Sequence, residues 1–505
     1  MLKKAILMIM SATLVPLYLA LTACTLVFIL YIKKYYKYWE KRNVPIESNF
    51  ILANNTYSVF SGKLHFGRFL MKLYQSHPED PYFGFYILGK PYLFIRCPNV
   101  IKKICKDHQY FQDRSFFCDE KVNPLAKSVF VAKNPGWRDS RHKLNTLFSP
   151  AKFKAMVPMI LSHCEKMNSF LEGYDNQIID VQETAENFVT NVLPHIFLGI
   201  DSKCEYNTND NIIKGALKNV FGKGWYQGVA FFVYGFAPKL VGVLKISILH
   251  DDFIKTIVED VIKSYYDTRD IRGTRVIDTL AKTSNNINQK TKDFFDENWL
   301  VAQSATLALA AFIPTSSFFA LSLYELSFNQ EFQEKLREEI FEFITDKNFD
   351  RIYESIMNMK YLNMLVAEIL RVYPLGDFVN RSCNKDYDIK ETGLKIEQGT
   401  PIMISISAIH TDPKFYPDPL KFDPGRFKNG TKEFESAGVY FPFGIGQRRC
   451  VGERFALIVV KIALVEVLSK FRFEPCNETE RPIVFDCQVI NTCPLNGVKL
   501  RIHKL

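Results

Sequence analysis

The sequence lacks the cysteine pairing of a disulfide-stabilised protein. Its 11 cysteines are odd in number and scattered, and no two of them form a Cys-x-x-Cys pair. This pattern argues against a disulfide framework and indicates a reducing, cytosol-facing location. We therefore expect one cysteine to have a special role and the others to be packing residues.

The chain also lacks any Gly-, Ser- or Pro-rich linker or internal repeat after residue 45. Its 505 residues, 47% of them hydrophobic, would be enough for roughly two to four domains, yet nothing divides them. We interpret residues 46–505 as one large catalytic domain. The net charge of +10 is not concentrated in any run. This argues against a nucleic-acid partner and favours a basic surface that meets an acidic protein or anionic lipid.

One long apolar run near the N-terminus predicts a membrane anchor. Residues 5–32, after the short segment 1–4, contain nothing more polar than one serine and three threonines. A helix of about 20 such residues spans the ~30 Å hydrocarbon layer, whereas a cleaved signal peptide has a shorter apolar region and a small-residue cleavage site. The connector 33–45 contains five basic residues and the segment 1–4 contains two, so we expect a single-pass protein whose catalytic domain is cytoplasmic.

Residue patterns predict a few elements of the catalytic domain. Two alternating runs within 82–95 predict a β-hairpin. Beyond it the sequence is mostly helical, with a long helix over 296–327 capped by Asp296. Further helices are expected over 332–340 and 361–373, the last ended by Pro374. The alternating segment 490–505 predicts a second hairpin whose turn includes Asn491.

The most informative stretch is 441–457, which reads Phe-Pro-Phe-Gly-Ile-Gly-Gln-Arg-Arg-Cys-Val-Gly-Glu-Arg-Phe-Ala-Leu. Cys450 stands where a glycine-rich loop enters a helix, a setting that suits a metal-binding thiolate. Gly446 and Gly452 let the backbone fold close around the sulfur so that N–H groups point at it, and Phe443 would screen it from water. Arg448 is placed to meet an anionic group on the same side.

This stretch resembles the cysteine loop of the cytochrome P-450 superfamily, the haem-thiolate enzymes. Companion motifs follow the family's order along the chain: Trp137-x-x-x-Arg141, Glu368-x-x-Arg371, Arg381, and Arg426 in Phe-Asp-Pro-Gly-Arg-Phe. The resemblance covers nearly the whole chain, anchor included. It implies a mainly α fold with small β-sheets (α+β), built as one haem-thiolate domain behind a transmembrane helix.

The resemblance also assigns a role to each of these residues. Cys450 would be the axial ligand of the iron in haem b, with Phe443 and Gly452 beside it. The haem propionates would be bound by Trp137, Arg141, Arg381 and Arg448. A buried charge network would lock the cysteine loop in place, formed by Glu368, Arg371 and Arg426. The family's usual glutamate before the last arginine is Gly425 here, which weakens one capping contact.

Three shorter segments resemble the insect microsomal enzymes that oxidise foreign compounds and hormones: Tyr324-Glu-Leu, Met359-Lys-Tyr-Leu and the run 333–340. They imply a monooxygenase of the endoplasmic reticulum membrane that inserts one oxygen atom of dioxygen into a lipophilic small molecule. NADPH would supply the electrons through a flavoprotein reductase, with cytochrome b5 as a second donor. The resemblance implies that the reductase meets a basic face of the protein, which includes Arg138, Arg448, Arg449 and Arg454.

The substrate pocket is expected within 105–133, 221–246 and around Asn491. The segment 221–246 is rich in aromatic residues and is interpreted either as ordinary core or as the roof of the pocket, where it would dip into the bilayer interface.

The central helix departs from the family's pattern. Members of this branch carry Ala-Gly-Phe-Glu-Thr-Ser, whose acid and alcohol relay protons to bound oxygen, where this chain has Ala-Ala-Phe-Ile-Pro-Thr at 310–315. Neither Ile313 nor Pro314 can carry a proton. Thr315 is the nearest hydroxyl, but a rotation of about 100° per residue aims it away from the iron. The alternatives are proton relay by Thr315, by Ser316 or by an ordered water.

This departure leaves two other functions open. One is a haem-thiolate isomerase or dehydratase, which starts from a peroxide and does not need protonated dioxygen. The other is a degenerate haem protein that has kept the cofactor and turns over slowly or with poor coupling.

Overall fold

The computed structural model describes residues 37–47, 62–87, 90–116, 124–198, 297–343, 349–390, 392–487 and 489–505, with isolated positions among 22–27, 58–59 and 202–215. The predicted anchor falls outside these residues except at 22–23 and 25–27, which are helical. The predicted cap Asp296 and the aromatic segment 221–246 also lie outside them.

The described residues are mainly helical with three small sheets, so the predicted α+β class is confirmed. The helices are α1 (Phe66–Gln75), α2 (Pro98–Lys106), α3 (Gly136–Asn145), α4 (Pro150–Leu171), α5 (Val181–Leu198), α6 (Glu297–Phe328), α7 (Gln330–Phe343), α8 (Phe349–Asn358), α9 (Lys360–Val372), α10 (Ile406–His410), α11 (Lys432–Ala437) and α12 (Glu453–Leu468). Short 3-10 turns lie at Glu40–Arg42, Pro124–Lys127, Thr146–Phe148, Glu172–Tyr174 and Pro424–Phe427. The strands are β1 (Tyr82–Ile87), β2 (Lys90–Ile95), β3 (Ile178–Asp180), β4 (Phe378–Ser382), β5 (Tyr387–Ile389), β6 (Leu394–Ile396), β7 (Pro401–Ser405), β8 (Phe471–Pro475) and β9 (Lys499–Lys504).

The centre of the fold is α6, which is apolar on nearly every side. Such a helix is stable only when other elements surround it, and α6 packs against α5, α12 and the turn Pro124–Lys127. Within the described part of the chain, one segment, Ala302–Phe328, has the length and hydropathy of a membrane span, but 67% of its most apolar window is buried inside the protein. We therefore interpret α6 as the core helix of the catalytic domain.

The largest sheet has the strand order β1-β2-β7-β4, with β2 and β7 parallel and the other pairs antiparallel. The connector packs on its edge: the Pro45 carbonyl accepts a hydrogen bond from the N–H of Gly84 at 2.7 Å. Trp39 is 1% exposed, and a Cβ added at Gly84 would lie 2.3 Å from its ring. The packed structure therefore includes part of the connector, from at least Trp39 onward.

Most of the elements predicted from the sequence are confirmed. The first hairpin is β1 with β2, and the helices predicted over 296–327, 332–340 and 361–373 are α6, α7 and α9. The predicted C-terminal hairpin over 490–505 is wrong. Strand β9 pairs with β8 and β3, and Asn491 instead forms an isolated bridge with Gly376. Alternation reveals a strand but not its partner, which here lies about 25 residues or more away in the sequence.

Candidate functional site

Cys450 lies at the end of a loop that runs into α12. The loop, residues 441–452, is held by its own backbone: the N–H of Cys450 donates to the carbonyl of Phe443 at 2.9 Å. Gly446 has a φ of +77°, and a Cβ added there would lie 1.9 Å from the carbonyl oxygen of Cys105. We predicted that this glycine lets the loop close around the sulfur. Its tight contact is instead with the end of α2, where only glycine fits.

Cys450 is exposed as a residue, yet burial around its sulfur raises the pKa of the thiol. The N–H of Gly452 and the charges of Arg141 and Arg114 act in the opposite direction. A raised pKa leaves the thiol neutral until a cation binds the sulfur. In the described ranges no group of three or more His, Cys, Asp or Glu side chains is placed to hold a metal ion. Cys450 therefore suits a metal that carries its other ligands with it, as the iron of haem does.

Four arginines gather at this loop: Arg114, Arg141, Arg381 and Arg448. Arg141 Nη1 donates to the Arg449 carbonyl at 2.7 Å, and Arg381 Nη2 donates to the Ile445 carbonyl at 2.9 Å. Arg448 lies 4.0 Å from the ring centre of Trp137, which is on α3 together with Arg141. The structure thus brings all the residues predicted to bind propionates to one place.

The positive charge of these arginines exceeds what their surroundings neutralise. Burial and repulsion between neighbouring arginines lower the pKa of Arg448 to about 8 and that of Arg114 to about 9. Asp113 pairs with Arg448 at 3.3 Å, and the Nε of Arg114 is buried without a partner among the described residues. A ligand with two carboxylates would satisfy this set, and the haem propionates have that chemistry. The residues present therefore fit haem.

Sequence reasoning missed Asp113 and Arg114. Asp113 Oδ1 accepts hydrogen bonds from the backbone N–H and the side-chain amide of Asn134, at 3.1 and 3.2 Å. Its Oδ2 accepts from the amide of Asn384 at 2.8 Å. These bonds join separate loops and hold Arg448 in position. The feature of the sequence that could have pointed to these two residues is an Asp-Arg pair inside the aromatic run 110–117.

The predicted charge network is assembled beneath the loop. Arg371 donates two hydrogen bonds of 2.8 Å to the carboxylate of Glu368, and both side chains are fully buried. Arg426 makes a longer ion pair, with Nε 3.5 Å from Glu368 Oε1 and no hydrogen bond at that nitrogen. Glu368 also accepts from the N–H of Asp423 at 2.9 Å, which fixes the turn that carries Arg426.

His410 connects this network to the cysteine loop. Its carbonyl accepts from Arg371 at 2.8 Å, and its ring Nε2 accepts from the N–H of Phe441 at 3.1 Å. Burial, followed by the charge of Arg371, lowers the pKa of His410 to about 3. The imidazole therefore stays neutral, as an acceptor at Nε2 must be.

The central helix has one open turn. Ala310 is the single exposed residue among those of α6 whose side chains the structure describes, and Ile313 and Pro314 are half-buried beside it. Thr315 is 1% exposed and faces the packed core. The Ser316 hydroxyl donates to the carbonyls of Phe312 and Ile313, at 2.9 and 3.1 Å. The structure thus does not bring the proposed relay residue Thr315 to the open side.

The predicted basic face needs a correction. Arg448 is 6% exposed and points inward, because its guanidinium is bonded by Asp113 and by carbonyls of two loops. The charge of Arg449 is only partly available to a partner protein, because Glu453 forms a bidentate ion pair with it. Arg138 and Arg454 are exposed.

Comparisons with known proteins agree with this geometry. A family model described as Cytochrome P-450 matches residues 48–499. The chain is 29% identical to cytochrome P-450 6j1 of Blattella germanica, over 97% of this chain and 98% of the relative. It is also 29% identical to cytochrome P-450 6k1 of the same species, over 94% of each chain. Probable cytochrome P-450 6w1 of Drosophila melanogaster is 28% identical, over 92% of this chain and 94% of the relative.

Proposed function

This chain belongs to the cytochrome P-450 family, and from that premise we propose that it oxidises a lipophilic small molecule with electrons that a flavoprotein reductase delivers from NADPH. The enzyme is a haem-thiolate monooxygenase, and its cofactor is haem b. The observation that carries the proposal is the position of Cys450 on a loop where four arginines gather. Asp113 pairs with Arg448 and the charge of Glu453 acts on Arg141, which leaves positive charge in excess.

Haem supplies the redox chemistry, and a thiolate ligand favours cleavage of the O–O bond. The protein's own residues bind and orient that cofactor. We propose that Cys450 would bind the haem iron through its sulfur and that the N–H of Gly452 would stabilise the charge of that sulfur. Arg114, Arg141, Arg381 and Arg448 would bind the propionates, each by charge-assisted hydrogen bonds.

Rigid support of the loop is the second contribution of the chain. The Glu368 carboxylate orients Arg371, which holds the His410 carbonyl, and the His410 ring receives the Phe441 N–H. The residues of this series are buried, so their hydrogen bonds fix the start of the loop relative to α9. We propose that Glu368, Arg371 and Arg426 act in this structural way and do not touch substrate.

The partners and location follow from the sequence and the exposed cations. The apolar run 5–32 supports anchoring in the endoplasmic reticulum membrane with the catalytic domain in the cytoplasm. Arg454, four residues after Cys450, and Arg138, on the same helix as Arg141, are both exposed. We propose that they meet an acidic reductase surface and that cytochrome b5 would use the same face.

The test is a reduced carbon monoxide difference spectrum of the purified wild type and of Cys450→Ala. We expect the band of thiolate-ligated haem in the wild type and its loss in the variant. Cys97→Ala serves as the control, because Cys97 is a partly buried cysteine outside the site. A wild type without that band, or a Cys450→Ala protein that keeps it, would contradict the proposal.

Turnover assays then separate the functions that the Ile313-Pro314 pair leaves open. NADPH consumption that depends on substrate and reductase supports the monooxygenase. Conversion of a lipid hydroperoxide without NADPH would instead identify an isomerase or dehydratase. Haem binding with neither activity would identify a degenerate protein.

A further inference from the structure

A second cluster of buried polar side chains lies at the start of β4, outside the cysteine loop. It consists of His65, which is the N-cap of α1, Asp377, which precedes β4, and Ser407 in α10. The three residues are only 6–7% exposed. The binding of haem gives none of them a task.

Hydrogen bonding at His65 requires one proton between its ring and Asp377. His65 Nε2 lies 3.1 Å from the carbonyl oxygen of Val489, which can only accept, so Nε2 carries a proton. His65 Nδ1 lies 3.3 Å from Asp377 Oδ2 and 3.2 Å from the backbone nitrogen of Gly67. Without a further proton, the lone pairs of Nδ1 and Oδ2 would face each other. One proton, on either atom, turns that contact into a hydrogen bond.

The carboxyl group of Asp377 is enclosed on its other sides. A Cβ added at Gly67 would lie 2.3 Å from Asp377 Oδ2, so only glycine leaves room for the carboxyl group at this place. Asp377 Oδ1 accepts a hydrogen bond from the Ser407 hydroxyl. The backbone carbonyl of Asp377 accepts from the N–H of Ile406 at 2.8 Å. The carboxyl group is therefore held against the His65 ring.

The charges around the cluster favour retention of the proton. Burial raises the pKa of Asp377, whereas the charges of His65 and Arg68 act in the opposite direction. Arg68 is exposed, so water screens its charge. The C-terminal segment adds Cys487, whose thiol is affected by Asp486 and by the backbone of His65. Burial of a lone carboxylate is the costlier alternative, and the shared proton avoids it.

The cluster joins segments expected to line the substrate pocket. Val489, bound by His65, lies two residues before Asn491, whose side-chain amide donates to the Leu375 carbonyl at 3.0 Å. The ring of Phe378, next to Asp377, packs edge-on against that of Phe116, with the ring centres 6.4 Å apart. The start of β4 is thus in contact with both the segment around Asn491 and the segment 105–133.

We propose that His65 and Asp377 share one proton and that this shared proton fixes the C-terminal segment at Val489 to the start of β4. Both are positioning residues, because they act on the pocket through other groups. The inference rests on the proposed haem-thiolate function, since the pocket is the one that would bind the lipophilic substrate. Loss of the proton should loosen this wall and weaken the binding of long apolar ligands.

The experiment compares the wild type with Asp377→Asn and Asp377→Ala as purified holoenzymes. Asparagine donates from its amide N–H to His65 Nδ1 and accepts from Ser407, so it reproduces the protonated arrangement and cannot lose it. Alanine removes the arrangement. The probes are 1-dodecylimidazole and 1-methylimidazole, which share an iron-binding ring and differ in the apolar chain. Spectral titration of the ferric haem gives both dissociation constants, and their ratio cancels the protonation of the imidazole ring.

The ratio is measured between about pH 7 and about pH 9.5, where free aspartate and histidine side chains hold no shared proton. Because the folded contact holds one proton that the free groups do not, it weakens as the pH rises. In the wild type the preference for the long probe should fall by about threefold to tenfold, the effect of one lost hydrogen bond. Asp377→Asn should keep the full preference throughout. Asp377→Ala should show the reduced preference at every pH.

Amide hydrogen exchange of a peptide that covers residues 489–494 gives a second measurement that does not need haem. At the upper end of the pH range, Asp377→Asn should protect this peptide more than the wild type does. Strand β8 is the internal reference, because it pairs with β9 and not with the cluster. Both proteins should protect β8 equally.

Asp80→Asn is the matched control, because His77 Nδ1 and Asp80 Oδ2 form another such contact, at 2.8 Å, in the loop between α1 and β1. It should leave the wild-type pH profile unchanged. Equal pH profiles or equal exchange of 489–494 in the wild type and Asp377→Asn would overturn the inference. Failure of the proposed function would appear separately, as a missing carbon monoxide band, and the exchange measurement would still decide whether the proton is shared.

Discussion

At Gly446 a single methyl group has no room. Its φ is +77°, which already disfavours a side chain, and an added Cβ would meet the Cys105 carbonyl at 1.9 Å. Since the contact is with backbone, no side-chain rotation relieves it. The docking of the cysteine loop on α2 therefore depends on this one residue.

Gly446→Ala should lower the free energy of unfolding by about 2–5 kcal/mol, from backbone strain and overpacking together. Gly393 is the matched control: its φ is +68°, but a Cβ there meets nothing within 4 Å. Gly393→Ala should lose only about 1–2 kcal/mol. Thermal unfolding and haem content measure both effects. Equal losses in the two variants would show that the contact with Cys105 is unimportant.

Among the elements, α12 combines an apolar face with one buried lysine. Lys461 is 3% exposed, and its Nζ donates to the Asn363 side chain on α9. Burial lowers the pKa of Lys461 to about 8 from an ordinary value of 10.5. The folded protein therefore holds this proton less tightly than the unfolded chain does.

The pH dependence follows from that difference. Below pH 8 the lysine is charged in both states, so its burial destabilises the fold fully. Between pH 8 and 10.5 the folded state loses the proton first, and stability rises with pH. Above that range the penalty is gone. Lys461→Met should therefore stabilise the protein by roughly 1–3 kcal/mol at pH 7, and by less as the pH rises towards 10.

Thermal unfolding of wild type and Lys461→Met at pH 7 and pH 9.5 measures this trend. The control is Lys335→Met, because that side chain is 51% exposed and should not change the pH dependence. A gain that stays constant across the two pH values would mean that burial does not lower the pKa of this lysine.

For the whole molecule, the boundary between connector and catalytic domain has energetic consequences. Trp39 is buried against Gly84, and the Arg42 guanidinium pairs with Glu397, the residue that follows β6. Part of the segment before residue 46 thus belongs to the folded domain, whereas the sequence analysis placed the start of that domain at residue 46.

Two truncated chains test this. Removal of residues 1–36 should leave the thermal unfolding of the catalytic domain nearly unchanged. Removal of residues 1–45 also removes Trp39 and should lower the free energy of unfolding by about 3–5 kcal/mol, as for other large buried side chains. Trp39→Ala in the chain that begins at residue 37 should reproduce most of that loss. Equal stability of the two truncated chains would contradict the packed connector.

Local patterns were enough to identify three helices and the first hairpin. Alternation predicted the first hairpin, a long run with few helix breakers predicted α6, an amphipathic pattern predicted α7, and Pro374 marked the end of α9. Each of these signals lies within a short stretch of the sequence. The cysteine loop was recognisable because Phe443, Gly446, Arg448, Cys450 and Gly452 stand at fixed spacings. The strand β9 was identified, but its pairing with β8 was not, because register depends on residues far apart in the sequence.

The sequence by itself determined which residues can bind an iron and its acidic cofactor, because thiol and guanidinium chemistry belongs to the side chains. Only the tertiary structure decided how they are used. It placed Asp113 and Arg114 with the arginines of three other segments, turned Arg448 inward, buried Thr315 and exposed Ala310. Burial and charge balance are sums over neighbours that the fold brings together, so no single stretch of sequence contains them.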